Sequence, residues 1–192
     1  MVDDGSTDNS VEIIRKYPVK LITKPNGGTA SARNAGIKAA NGQILAFLDA
    51  DDAYYPEKVM ASVVKIAEFP NIGLVYSDYD ILDQMTGQKI REYKPPFDFR
   101  KLAASCIVST NPVVQKAVFD AIGEYNTLVK GMEDYEFYLR ATARFTAVHI
   151  PYALFMYREH QKNKTRVTPA PIWQEEERLM KENFFKNLQN VK

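Results

Sequence analysis

The chain has 192 residues, 45% of them apolar, and its 25 lysine and arginine residues nearly balance its 24 aspartate and glutamate residues. This composition is typical of one globular domain and excludes collagen, coiled coil and intrinsic disorder. The formal net charge of +1 creates no global positive field, so we expect no nucleic-acid partner. No apolar run is long enough for a membrane span, residues 1–20 lack a secretory signal pattern, and the single Cys106 cannot form an internal disulfide. These features predict a reducing, cytoplasmic location.

Strands and helices alternate through the first half of the chain. In order, the patterns predict a short helix ending before Pro18, a strand at 19–23, a helix at 29–40, a strand at 43–48, a helix after Pro56 and a strand at 72–77. Such alternation predicts an α/β fold with a mostly parallel sheet flanked by helices. In these sheets ligands bind beyond the carboxyl ends of the strands.

The second half of the chain is less regular. Its patterns predict a hairpin of 81–83 with 88–93, a helix at 98–105, a strand at 107–114 and a helix at 116–122. Residues 131–134 then lead into a helix that ends at Arg144, and strands follow at 147–150 and 154–157. We therefore assign residues 1–167 to one domain and 168–192 to a C-terminal amphipathic helix.

The apolar side chains of that last helix can share one broad face. They are Ile172, Trp173, Leu179, Met180, Phe184, Phe185 and Leu188. Because residues 161–192 are net basic, peripheral contact with a membrane is one interpretation. Packing of the helix on the protein core is the favoured alternative.

Three aspartates, Asp49, Asp51 and Asp52, follow directly after the second buried strand. Side chains alternate along an extended segment, so Asp49 and Asp51 can converge. Carboxylate oxygens suit Mg²⁺ or Mn²⁺, which keep open positions for water and nucleotide phosphates. The alternative is a cap or turn, where aspartate is common.

Two further acidic positions also allow two interpretations. Asp4 ends the first predicted strand and can accept hydrogen bonds from a base or ribose, although an Asx turn with a helix cap explains it almost as well. Glu133 and Asp134 open a predicted helix, where carboxylates also compensate the helix dipole.

Taken together, these segments resemble a family 2 glycosyltransferase with the Rossmann-like GT-A fold. The resemblance extends from Val2 to about Thr165. It rests on five segments in this order: VDDGSTD at 2–8, NGG at 26–28 with ARNAG at 32–36, DADD at 49–52, GMED at 131–134 and YREH at 157–160. Each motif alone is weak, but their joint order is specific.

The resemblance implies an inverting, metal-dependent enzyme. The expected donor is a nucleotide-sugar, in first place a UDP-sugar. The expected acceptor is a saccharide or lipid-linked hydroxyl in the synthesis of a surface polysaccharide or glycolipid. The absence of a Gln-x-x-Arg-Trp motif favours single additions over processive synthesis.

The resemblance also implies a role for each matching residue. Asp4 would bind the nucleobase, Asp49 would lie near the ribose and diphosphate, Asp51 would ligate Mn²⁺ or Mg²⁺, and Asp134 would be the catalytic base. Glu133 would orient or bind the acceptor, His160 would be a further metal contact, and Arg33 and Asn34 would shape the donor site. The alternatives are an ordinary surface role for His160 and a surface or packing role for Arg33 and Asn34.

The sequence departs from the family pattern at its start. Family members normally begin with an additional strand and helix, so we expect an N-terminally truncated domain. Unpaired backbone groups and exposed apolar surface should then lie near the middle of the sheet. We expect this chain alone to bind nucleotide-sugar weakly or not at all. The alternative function is a catalytically silent module that binds through its sheet edge; the sequence does not define the oligomeric state.

Overall fold

The computed structural model describes residues 1–69 and 71–189, and within them the chain forms eight strands and eight helices. The strands are β1 (Val2–Asp3), β2 (Ile22–Thr23), β3 (Ile44–Ala46), β4 (Ala53–Tyr54), β5 (Ile72–Asp83), β6 (Lys89–Glu92), β7 (Val113–Gln115) and β8 (Thr146–Glu159). The helices are α1 (Ser10–Ile14), α2 (Gly28–Ala39), α3 (Lys58–Glu68), α4 (Phe99–Ala104), α5 (Lys116–Ile122), α6 (Glu133–Thr142), α7 (Lys164–Val167) and α8 (Ala170–Gln189).

These strands form two sheets. Strands β1 and β2 make a small parallel pair, and the larger sheet has the order β3-β7-β5-β8-β4, with β6 also paired to β5. In the larger sheet only β5 and β8 run parallel, whereas the β3–β7, β5–β7, β5–β6 and β4–β8 pairs are antiparallel. The sheet is therefore mixed rather than mostly parallel. The alternation of strands and helices ends after α3. A tight turn between β5 and β6 then returns the chain antiparallel to β5.

Several predicted elements match closely, including α5, α4 and the β5–β6 hairpin. The predicted strand at 107–114 is wrong for most of its length, because Asn111 has a left-handed backbone (φ 56°) and Pro112 follows it. The strands predicted at 147–150 and 154–157 are one strand, β8. Its register against β5 shifts between Ile150 and Ala153, where the intervening proline lacks an N–H for the ladder.

The core forms around β5, whose Leu74, Val75 and Tyr76 are fully buried. Helix α8 belongs to this core, because Met180 and Phe184 are buried in the same apolar cluster as Leu74. This packing favours the core interpretation of the amphipathic helix. Its predicted residues 190–192 and the side chain of Leu188 lie outside the described residues. Along the described residues, no helix is long and apolar enough to cross a bilayer.

Candidate functional site

A cavity of about 770 Å³ lies between the edges of β1 and β3. Helix α2 contributes Ala32, Arg33 and Ile37 to its wall, and the segment from β3 to Ala50 contributes the opposite wall. Leu48, in the middle of this apolar segment, is half-exposed. The cavity separates the β1–β2 pair from β3, an edge strand of the larger sheet, and Asp4 and Asp49 also line it.

Asp4 lies just beyond β1 and caps the start of α2. Its carboxylate accepts hydrogen bonds from the backbone N–H groups of Gly27 (3.1 Å) and Gly28 (2.7 Å), and it pairs with Lys24. Burial acts to raise the pKa of Asp4, but Lys24 and the two N–H groups outweigh it and lower the pKa. The turn depends on Gly5 (φ 82°), because a Cβ there would lie 2.8 Å from the backbone nitrogen of Asn26.

Arg33 brings together two of the predicted site residues. Its guanidinium donates to Asp49 at the end of β3 (Nη2 to Oδ1, 2.9 Å) and to Asp134 in the first turn of α6. The Arg33 side chain is only 9% exposed, and its guanidinium lies over the ring of Tyr125. A buried cation between two carboxylates fixes the distance between the strand end and the helix start.

Asp134 has the electrostatic surroundings of a base. Burial raises its pKa to about 6; Arg33 acts in the opposite direction, and the negative charges of Asp49 and Glu133 add to the rise. The side chain is still 24% exposed, so a ligand can reach it. A carboxylate with a pKa near the working pH can both accept and release a proton.

Asp51, two residues after Asp49, forms a second pair with His160. Asp51 Oδ2 lies 3.1 Å from His160 Nε2, and both side chains are partly exposed. Among residues 1–69 and 71–189 there is no cluster of three or more metal-binding side chains. Asp51 supplies one carboxylate, which is compatible with Mg²⁺ or Mn²⁺, because these ions often bind through one or two carboxylates plus waters and substrate phosphates.

The segment that carries these aspartates is held by residues that the sequence did not identify. Asn111 accepts from the Asp49 N–H (3.0 Å) and donates to Asp52 (2.6 Å). The backbone N–H of Arg158 donates to Asp52, and its Nε donates to the Asp51 carbonyl. Arg158 belongs to the YREH motif, but nothing in the local sequence distinguishes Asn111 from an ordinary turn residue.

Two predicted site residues have different surroundings. Asn34 is buried and exchanges two hydrogen bonds with the backbone of Tyr125, which supports the packing alternative over donor contact. Glu133 is buried beside Asp134, and its Oε2 has no hydrogen-bond partner among the residues that the structure describes. Its other oxygen lies 3.9 Å from Lys164 Nζ.

The loop before α6 is packed against α8. Gly131 has φ 86°, and a Cβ at this position would lie 2.7 Å from the ring of Trp173. Only glycine accepts both this conformation and this contact at low cost. The C-terminal helix therefore fixes the approach to the Glu133-Asp134 pair.

A mixed sheet with flanking helices and acidic side chains at a cavity is the arrangement that the motif resemblance predicts for a glycosyltransferase of the GT-A type. The chain belongs to glycosyl transferase family 2, whose family model matches residues 1–123. This match confirms the family resemblance inferred from the motifs and the glycosyltransferase class, and the structural likeness to S. aureus TarS confirms the α/β GT-A fold.

The chain spans only part of the length of each of three similar known proteins. An uncharacterized glycosyltransferase of Haemophilus influenzae is 27% identical over all of this chain and 68% of its own length. The chondroitin synthase of Pasteurella multocida is 28% identical over 72% of this chain and 15% of its own length. The crystal structure of S. aureus TarS 1-349 in complex with UDP-GlcNAc matches 93% of this chain and 55% of that chain, with a TM-score of 0.72 and 21% identity.

Proposed function

We propose that this chain carries the donor site and the general base of an inverting glycosyltransferase. The donor is a UDP-sugar, and the acceptor is a hydroxyl of a saccharide or lipid-linked precursor of a surface polysaccharide or glycolipid. The observation that carries the proposal is the Asp49–Arg33–Asp134 bridge, which joins the strand end to the start of α6. Crystal structures of the similar TarS contain UDP and UDP-GlcNAc, which supports the choice of donor.

In the proposed reaction, Asp134 accepts the proton of the acceptor hydroxyl. The acceptor oxygen forms a bond to the anomeric carbon from the face opposite the diphosphate. The bond between that carbon and the diphosphate oxygen breaks, its electron pair leaves with UDP, and the anomeric configuration is inverted. A positioned base of this kind contributes about 10²–10⁴-fold in rate. Arg33 holds Asp134 in place, and Glu133 is available to orient the acceptor hydroxyl.

Asp51 and His160 are the residues that would hold Mn²⁺ or Mg²⁺. When bound, a divalent cation offsets the negative charge of the departing diphosphate. Asp4 and Asp49 face the same cavity and are proposed to contact the nucleobase and the ribose.

Calorimetric titration with UDP up to millimolar concentration in the presence of Mn²⁺ tests the donor site, because this chain alone is expected to bind the donor only weakly. We expect D51N and H160A to abolish the Mn²⁺-dependent part of UDP binding, and D134N to leave binding intact while removing donor hydrolysis. The matched control is D120N, because Asp120 is an exposed aspartate on α5. Equal UDP affinity with and without Mn²⁺ in all variants would contradict the metal site.

The cavity between β1 and β3 supports a second candidate function. Apolar residues near a sheet edge, such as the half-exposed Leu48, are a surface on which another segment can pair. A catalytically silent binding module would use this surface and bind no nucleotide. The same titration separates the candidates, since a module of this kind gives no heat with UDP at millimolar concentration.

A further inference from the structure

Asn111 has an unusual backbone conformation beside the acidic segment 49–52. It lies two residues before β7, is fully buried, and has φ 56°. Within the part of the chain that the structure describes, it is the only residue other than glycine with a positive φ. Asparagine tolerates this region better than most residues, but such conformations persist only where the surroundings enforce them.

The Asn111 amide spans the acidic segment. Its Oδ1 accepts from the Asp49 N–H at 3.0 Å, and its Nδ2 donates to Asp52 Oδ2 at 2.6 Å. Asp51 lies between these two anchored residues. The Asn111 amide therefore bridges the first and last residues of the segment 49–52, which are also joined by a hydrogen bond from the Asp52 N–H to the Asp49 carbonyl (3.1 Å).

Strand β8 also holds the segment 49–52, through Asp52. We call the hydrogen bonds that Asn111 and Asp52 make to this segment and to β8 the brace. The other oxygen of the buried Asp52 carboxylate accepts from the Arg158 N–H at 3.0 Å. The Arg158 Nε in turn donates to the Asp51 carbonyl at 2.8 Å. The acidic segment is thus tied on one side to the approach of β7 and on the other to β8.

We propose that Asn111 and Asp52 are positioning residues that hold Asp49 and Asp51 at the separation required by the diphosphate of the donor. The inference rests on the proposed function and deepens it. Both side chains have their hydrogen bonds directed to the protein, so they act through the segment and not by touching the donor. A displacement of about 1 Å in such a segment can cost on the order of 10²-fold in rate.

The hydrogen-bond pattern permits a test in which the side chains at positions 111 and 52 are swapped. In N111D/D52N the aspartate at 111 accepts from the Asp49 N–H and from the new amide at 52, whose oxygen accepts from the Arg158 N–H. All three hydrogen bonds and the total charge are conserved. In N111D alone, two carboxylates face each other; in N111G the positive φ is tolerated, but both bonds of the amide are lost.

Two measurements on the full chain are needed: hydrogen exchange of the Asp49 amide and the Kd for UDP with Mn²⁺. We expect the N111G and N111D variants to expose the Asp49 amide to exchange and to raise the Kd on the order of 10-fold or more. The exchanged pair should restore protection and bring the Kd to within about threefold of the wild-type value. D120N is the control for general effects of charge.

Hydrogen exchange of the Asp49 amide can be measured without donor binding. The brace and the proposed function can therefore fail separately. Protection that is lost in N111G and restored in the exchanged pair supports the brace even if no variant binds UDP, a result that would refute the proposed function. Unchanged protection and Kd in N111G would overturn the brace. If N111G does not fold, the N111D/D52N variant decides instead. The brace is overturned if N111D/D52N does not recover the protection and the UDP affinity that N111D loses.

Discussion

Replacement of Arg33 by methionine tests the central ion pairs of the site. At the 2.9 Å separation of Arg33 and Asp49, a dielectric constant of about 20 gives a gross attraction of roughly 6 kcal/mol. Desolvation offsets part of this attraction, and loss of one partner from a buried pair costs about 3–5 kcal/mol. Because the Asp49 side chain is 35% exposed, we expect R33M to lower the free energy of unfolding by about 2 kcal/mol at pH 8.

The pH dependence of this loss provides the sharper test. In the wild type, burial raises the pKa of Asp134 from 3.8 to about 6. The protonated form is therefore favoured in the folded state, and this group's contribution to stability falls as the pH rises from about 4 to 6. Without Arg33 the pKa of Asp134 should rise further, so the deficit of R33M should be largest above pH 7 and smallest near pH 4.5.

Urea unfolding at pH 4.5 and pH 8 measures the two deficits. The control is K38M, since Lys38 makes an exposed ion pair with Glu124 and its loss should cost less than about 1 kcal/mol at either pH. The acid limb of the pH profile for donor hydrolysis should also move upward by roughly 1–3 pH units in R33M. A deficit of equal size at both pH values would refute the reasoning.

Three further predictions concern the base, the loop before it and the C-terminal helix. Because the pKa of Asp134 is raised to about 6, its ionised fraction and kcat/KM for the donor should fall about tenfold between pH 7 and pH 5; a flat profile would exclude it as the base. G131A should lower the free energy of unfolding in urea by about 2 kcal/mol, and by more than G87A, because both positions have positive φ but only Gly131 faces an aromatic ring. F184A should cost about 3 kcal/mol or more in the same assay and F185A less than about 1, because Phe184 is buried and Phe185 is exposed; equal losses would contradict the packing of α8.

The sequence predicted the parts of the site that depend on local pattern. A buried strand followed by Asp49, and a helix opened by Asp134, are visible in a few residues each, and the family resemblance supplied their roles. Sequence spacing also located α5 to the residue, because the conformation of Gly123 (φ 82°) ends that helix.

The strand pairing and the supports of the site were not predictable in this way. Strand direction depends on which segments meet in space. The mixed sheet arises because β5 pairs antiparallel with the short strands β6 and β7. The role of Asn111 depends on two hydrogen bonds to residues about 60 positions earlier in the chain. No local pattern encodes such a contact.

The long sequence separations across the site have a physical consequence. Arg33 and Asp134 are 101 residues apart, and Asp51 and His160 are 109 apart, so the loops that these contacts close must be ordered before the contacts contribute. The site therefore forms only when β3, β8 and α6 are all in place. Because α8 packs on α6 and on the loop before it, the position of Asp134 depends on the C-terminal helix as much as on the strands that carry the other carboxylates.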